Sequence, residues 1–147
     1  MTITAHALVG GAIAAAIPNP LIGFSLALLS HPLLDIVPHW DEGWNWRKKS
    51  KVRLFGECFL DFGIGVFLTY YFFGSVPIGY LLLAIFGSIL PDLLEAPYLL
   101  LGWKFRPFCW FYKLQHNLQG KVVLPWGILT QVLTVAMIIF VLHIFSI

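Results

Sequence analysis

Apolar stretches make up most of this chain, and several have the length of a helix that crosses a lipid bilayer. They are residues 5–17, 21–37, 57–73, 78–101 and 122–145. At about 1.5 Å of rise per residue, the last two can cross a hydrocarbon core of about 30 Å. The first is short for that, so we expect it to be tilted, buried in the bundle or re-entrant.

Composition supports a membrane protein. Hydrophobic residues make up 59% of the 147 residues and charged residues only 11%, which is too little polar surface for an ordinary soluble domain. We therefore predict an all-α, polytopic membrane bundle of about five helices that forms one domain over residues 1–147. Within it, the glycines are expected where helices pack closely. They are Gly10, Gly11, Gly63, Gly65 and Gly87.

The lysines and arginines are confined to two loops between these stretches. The first loop holds Arg47, Lys48, Lys49, Lys51 and Arg53, and the second holds Lys104, Arg106, Lys113 and Lys121. The positive-inside rule places both loops in the cytosol, so we expect the N-terminus on the cytosolic side of an inner (plasma) membrane. Aromatic residues among polar ones over 107–119 predict a short helix lying along the membrane surface. The net charge of +2 has this topological explanation and implies no nucleic-acid partner.

Carboxylates also lie inside or at the rim of the apolar stretches, where a charged side chain costs a few kcal/mol on insertion scales. They are Asp35, Glu57, Asp61, Asp92 and Glu95. No lysine or arginine lies within the same stretches to neutralise them. A divalent cation would relieve this cost, so the pattern favours a metal site. The alternative is hydrogen bonding between helices.

The spacing of the acids and histidines predicts where they point. His31 and Asp35 are four residues apart, as are Glu57 and Asp61, so each pair shares one face of its helix. Helix bundles build metal sites from such inward-facing pairs. The predicted metal ligands are His6, His31, Asp35, Asp61, Asp92 and His116. For His39 the sequence leaves two readings open, a loop position or ligation.

Imidazole with carboxylate suits Zn²⁺ first, with Mn²⁺ or Fe²⁺ as alternatives, and carboxylates can bridge two ions. We predict one or two ions near the cytosolic surface. Glu57 or Glu95 is the predicted catalytic base that accepts a proton from the attacking water.

Short motifs resemble those of a known group. Residues 4–10 (TAHALVG) resemble the Thr-x-His…Gly start of small prokaryotic inner-membrane proteins described as membrane-bound metal-dependent hydrolases. Their Leu-Pro-Asp element is similar to residues 89–92 (ILPD), and His116 corresponds to the histidine that follows it. The His-rich run of that group is reduced here to one histidine, with residues 30–39 as the alternative source of ligands. A looser likeness extends to zinc-dependent phospholipase C-like proteins.

This resemblance implies a metal-dependent hydrolase. We expect it to act on a lipid or lipid-linked phosphoester or ester at the cytosolic membrane face, with the basic loops holding a lipid phosphate. Two alternatives come from other classes: a proton or metal-ion transporter, and a non-catalytic membrane scaffold. The sequence does not indicate an oligomeric state.

Overall fold

The structure is a computed structural model that describes residues 1–145, and within them it is all-α, as predicted. Its α-helices are α1 (Ile3–Ala16), α2 (Pro20–Ile36), α3 (Lys51–Phe73), α4 (Ile78–Ala96), α5 (Arg106–Leu118) and α6 (Trp126–Phe145). A 3₁₀ turn precedes α3 (Trp46–Lys48), and a π-helical turn extends α4 (Pro97–Leu101). The predicted surface segment corresponds to α5, and the predicted apolar stretches correspond to the other five helices.

Polar residues set where several helices begin. The Asn19 side chain accepts hydrogen bonds from Leu21 N–H and Ile22 N–H, and Pro20 occupies the first turn of α2, where its missing N–H costs nothing. Ser50 accepts a hydrogen bond from Arg53 N–H at 3.2 Å. This cap starts α3 six residues before its apolar stretch, so Lys51 and Arg53 lie on a helix rather than in the predicted loop.

Helix α1 lies at the centre and packs against α2, α3, α4 and α6. Of the three placements expected for the short first stretch, the buried one is found. Close approach depends on glycine: a Cβ atom at Gly10 would lie 2.9 Å from the Ala84 carbonyl oxygen, and one at Gly65 would lie 2.9 Å from Thr4 Cα. These contacts bring the backbones of α3 and α4 against α1 and so fix where its polar side chains point.

Among residues 1–145, two helical segments are long and apolar enough to cross a membrane, Ile78–Leu101 and Trp126–Ile144. Helices α1 and α2 are apolar but shorter. Large apolar side chains are exposed along α2, α3, α4 and α6, as lipid-facing surfaces would be.

The segment after α2 is tied to the segment before α6 by backbone hydrogen bonds. His39 N–H donates to the Gly120 carbonyl at 3.0 Å, and Val122 N–H donates to the His39 carbonyl at 3.0 Å. Gln131 of α6 donates to the Trp40 carbonyl at 2.7 Å and accepts from Thr2 N–H at 2.8 Å. Because of these bonds, residues 37–41 are held against the N-terminus of α1, where the site described next is found.

Candidate metal centre

Three predicted ligands from two helices meet in the interior at this end of the bundle. His6 of α1 and His31 and Asp35 of α2 are buried, and one potential ligand atom from each lies within 4.8 Å of the others. His6 Nε2 lies 3.2 Å from Asp35 Oδ1, and His31 Nε2 lies 3.3 Å from Asp35 Oδ2. The two imidazole rings are stacked, with centroids 3.8 Å apart. This group is the core of the candidate site.

A backbone carbonyl fixes the orientation of His31. The carbonyl of Ser88 on α4 lies 2.6 Å from His31 Nδ1 and can only accept, so Nδ1 carries the proton and donates it. The other ring nitrogen, Nε2, therefore faces the carboxylates with its lone pair. Metal-binding histidines are commonly held in this way by a carbonyl on their far side.

Asp92 and Gln115 extend the group toward α4 and α5. Asp92 Oδ1 lies 3.5 Å from His31 Nε2. The Gln115 amide nitrogen donates to Asp92 Oδ1 at 3.1 Å and to His31 Nε2 at 2.9 Å. Gln115 was not predicted; the sequence signal was present one residue away, at His116, but the helix register of α5 places Gln115 on the inner face.

The donor atoms fit a divalent cation. Asp35 Oδ2 and Asp92 Oδ2 are buried with no hydrogen-bond partner, and buried carboxylate oxygens rarely remain unsatisfied without an ion or water. Asp35 Oδ1 contacts the amino group of Met1, so of the two Asp35 oxygens it is Oδ2 that lacks a partner. Imidazole and carboxylate together are a donor set for Zn²⁺, Mn²⁺ or Fe²⁺. The structure thus contains a group that could hold a metal ion, His6–His31–Asp35, called the metal-binding group below.

A cavity of about 580 Å³ opens beside this group. Asp92 links the two, because it contacts His31 and also lines the cavity. Glu95 lines the cavity as well, in a position open to the catalytic role predicted for it. So does Glu42, whose pKa is raised to about 8 by burial and by the nearby Asp61. The remaining wall is mostly aromatic and aliphatic, with Arg47, Lys48 and Lys121 among its cationic residues.

The structure does not bring Asp61 into the metal-binding group, contrary to expectation. Its carboxylate accepts hydrogen bonds from the N–H groups of Ile3 and Thr4 and, at 2.6 Å, from the Thr4 hydroxyl. Unpaired N–H groups at a helix start attract a carboxylate, so Asp61 acts as a partner for the first turn of α1. The i, i+4 spacing with Glu57 therefore reflects helix geometry rather than shared ligation.

Glu57 and His116 also lie apart from the group. Glu57 forms ion pairs with Lys49 at 2.6 Å and Arg53 at 2.8 Å, so cations from outside the apolar stretches compensate its charge without a metal. His116 is exposed, accepts a hydrogen bond from Lys121 at 2.9 Å and stacks on Tyr112. Although His116 is largely exposed, partial burial of the ring and the charges of Lys121 and Arg47 lower its pKa.

His39, for which the sequence left two readings open, is fully buried close to Asp35. The segment that carries it is a loop, yet its side chain points inward. The loop position is therefore found, and ligation by His39 stays a prediction.

Comparisons with protein-family models, with curated proteins and with solved structures gave no significant match. The resemblance to membrane-bound metal-dependent hydrolases consequently depends on the short motifs alone.

Proposed function

We propose that this chain is a metal-dependent membrane hydrolase that acts on a lipid or lipid-linked phosphoester or ester. The observation that carries the proposal is the convergence of His6, His31 and Asp35 in the interior, beside a cavity large enough for part of a lipid. A divalent cation held there would acidify a coordinated water and offset negative charge that develops on the substrate.

The protein's own residues supply orientation and proton transfer. The Ser88 carbonyl orients the His31 ring, and Asp92, which accepts a hydrogen bond from Gln115, connects the ring to the cavity. Glu95 is the carboxylate we assign as the base, because it lines the cavity whereas Glu57 is engaged by two cations. A base must come within hydrogen-bond reach of the proton that it takes, which Glu95 can do from the cavity wall.

The cavity supports an amphiphilic substrate. Its aromatic and aliphatic wall, including Phe55, Phe59 and Trp44, suits an acyl chain or isoprenoid. Arg47, Lys48 and Lys121 suit a phosphate group at the same opening. A transporter would instead need polar groups deep in the membrane and an exit on the far side.

The membrane arrangement belongs to the same proposal. We infer a multi-pass protein in an inner membrane, with α5 along the surface and the site near the cytosolic face. The lysines and arginines lie in residues 47–53 and 104–121, at the end of the bundle that holds the site, as the positive-inside rule requires for a cytosolic end.

Metal analysis with an activity assay tests the proposal. Wild-type protein purified in detergent should contain at least one Zn²⁺, Mn²⁺ or Fe²⁺ per chain, and His31→Ala or Asp35→Asn should lose it. Both variants should also lose metal-dependent release of phosphate or fatty acid from a panel of phospholipids in mixed micelles. His143→Ala is the matched control, because this exposed histidine lies on α6 well away from the site. Metal-free wild type, with melting unchanged by chelator, would favour a non-catalytic scaffold.

A further inference from the structure

His39 presents a free nitrogen to the interior. Its Nδ1 lies 2.7 Å from the Val37 carbonyl, which can only accept, so Nδ1 carries the proton. The side chain is fully buried, and Nε2 has no hydrogen-bond partner. Burying a polar atom without a partner is unfavourable, and an ordered ion is one of the usual reasons for it.

Two carboxylates face this nitrogen. Asp41 Oδ2 lies 3.3 Å from His39 Nε2, and Asp35 Oδ1 lies 3.9 Å from it. Separations of this size are what neighbouring ligands of one cation show when each is about 2.0–2.2 Å from the ion. Asp35 presents its other oxygen, Oδ2, to His31. Asp35 Oδ1 also contacts the amino group of Met1 and lies 3.2 Å from His6 Nε2, so this carboxylate lies among three imidazoles.

The backbone holds this arrangement in place. His39 exchanges two hydrogen bonds with residues 120–122, and Gln131 holds the next carbonyl, that of Trp40. Helix α2 ends before Pro38, where the chain turns. In a continued helix His39 would share the face of Asp35, and after the turn His39 Nε2 still lies 3.9 Å from Asp35 Oδ1. The free nitrogen is thus fixed by the fold and is not a feature of a loose loop.

We propose that His39, Asp41 and Asp35 form a second divalent-cation site, joined through Asp35 to the His6–His31–Asp35 group. The pair would be a carboxylate-bridged two-metal centre, an arrangement found in phosphatases and nucleases. This inference rests on the proposed function, because the two sites share Asp35.

The cavity gives the second site a role. Asp41 and Asp92 both line it, and each contacts a different histidine, His39 and His31. A substrate phosphate in the cavity would therefore meet both positions at once. Two cations there would contact two oxygens of one phosphate, which a single ion cannot do equally well.

Metal stoichiometry distinguishes one site from two. The protein in detergent, stripped with chelator and reloaded with Mn²⁺, should bind two ions per chain and give the electron paramagnetic resonance spectrum of a coupled pair. His39→Gln and Asp41→Asn should each bind one ion and give the spectrum of isolated Mn²⁺. His116→Ala, which removes a histidine outside both groups, should keep two ions. Circular dichroism confirms folding of each variant, and Asp41→Asn keeps the test decisive if His39→Gln does not fold.

The outcomes separate this inference from the proposed function. One ion in the wild type, unchanged in His39→Gln and Asp41→Asn, overturns the second site and leaves a single-metal hydrolase. Two ions retained in both folded variants also overturn it, as does loss of both ions, because the His6–His31–Asp35 group should hold one alone. No bound ion in the wild type overturns the metal-dependent function itself.

Discussion

The carboxylate of Asp35 contacts several of the buried polar groups of the site. It contacts His6, His31 and the amino group of Met1, and its Oδ2 still lacks a hydrogen-bond partner. A buried anion of this kind is stable only with compensating positive charge. The identity of the residue should therefore matter more for stability than its volume.

Metal removal should destabilise the folded protein through this residue. A ligand present at about 100 times its dissociation constant adds about 2.7 kcal/mol of stability, so chelation should lower the wild-type Tm by about 5–10 °C. Asp35→Asn should melt at a temperature that chelator does not change. The measurement is thermal melting in detergent with and without EDTA; equal shifts in the two proteins would contradict metal binding at Asp35.

His116 should titrate below the usual histidine range. Burial of its ring, Lys121 and Arg47 lower its pKa, so the folded state prefers the neutral form. Its contribution to stability should be complete above the unfolded pKa of about 6.5 and be lost as the pH falls toward the lower folded value. Nuclear magnetic resonance of the ring protons reads this pKa directly, and Lys121→Met should raise it. A midpoint at or above 6.5, or a resonance shift on adding Zn²⁺, would contradict our placement of His116.

The sequence predicted which residues could form the site, but not which groups each side chain contacts. That His31 and Asp35 lie together could be predicted from their i, i+4 spacing, a property of the chain itself, whereas His6 reaches them from another helix. The contacts of Asp61 could not be predicted, because its partners are the Ile3 and Thr4 N–H groups of another helix. Which backbone N–H groups need a partner is not visible in a sequence.

At the scale of the elements, close backbone packing of α1 should govern stability. A Cβ at Gly10 would meet Ser88 Oγ at 2.8 Å and the Ala84 carbonyl at 2.9 Å, whereas one at Gly63 would meet nothing within 4 Å. Gly10→Ala should therefore destabilise by about 1–3 kcal/mol, the usual range for overpacking. Gly63→Ala is the matched control and should be neutral or stabilising by up to about 1 kcal/mol, because alanine favours helix.

Chemical denaturation in mixed micelles measures both glycine variants. Equal stability of the two would show that α1 and α4 can separate without loss. The sequence predicted close packing at both glycines, and the structure agrees for Gly10 but not for Gly63. Both glycines lie in apolar stretches of sequence, and the three-dimensional neighbours distinguish them.

The start of α3 is a second feature that the sequence did not predict. Lys51 and Arg53 make residues 51–56 resemble the preceding basic loop, yet the Ser50 side chain caps the first turn of α3 there. Hydrophobic periodicity locates the apolar part of a helix, and a cap decides where the helix begins.

At the scale of the whole molecule, the all-α class followed from composition and the lengths of the apolar stretches, because these are summed over many residues. Topology was harder to predict. Within the part of the chain that the structure describes, only Ile78–Leu101 and Trp126–Ile144 have both the length and the apolarity of a span. The buried α1 obtains its stability from surrounding helices, which no local pattern in its own residues specifies.

Orientation across the membrane should be measurable at both ends of α4. We expect Ser75→Cys, in the exposed turn before α4, to react with an impermeant maleimide in intact cells, where it would face outward. Lys104→Cys, exposed after the π-helical turn, should react only in inverted membrane vesicles. Both are introduced with Cys58→Ser and Cys109→Ser to remove the native thiols. The reason is charge: four lysines and arginines follow α4, whereas residues 74–77 before it carry none. Labelling of both cysteines from one side would mean that α4 does not cross, and the reversed pattern would place the metal-binding group at the outer face.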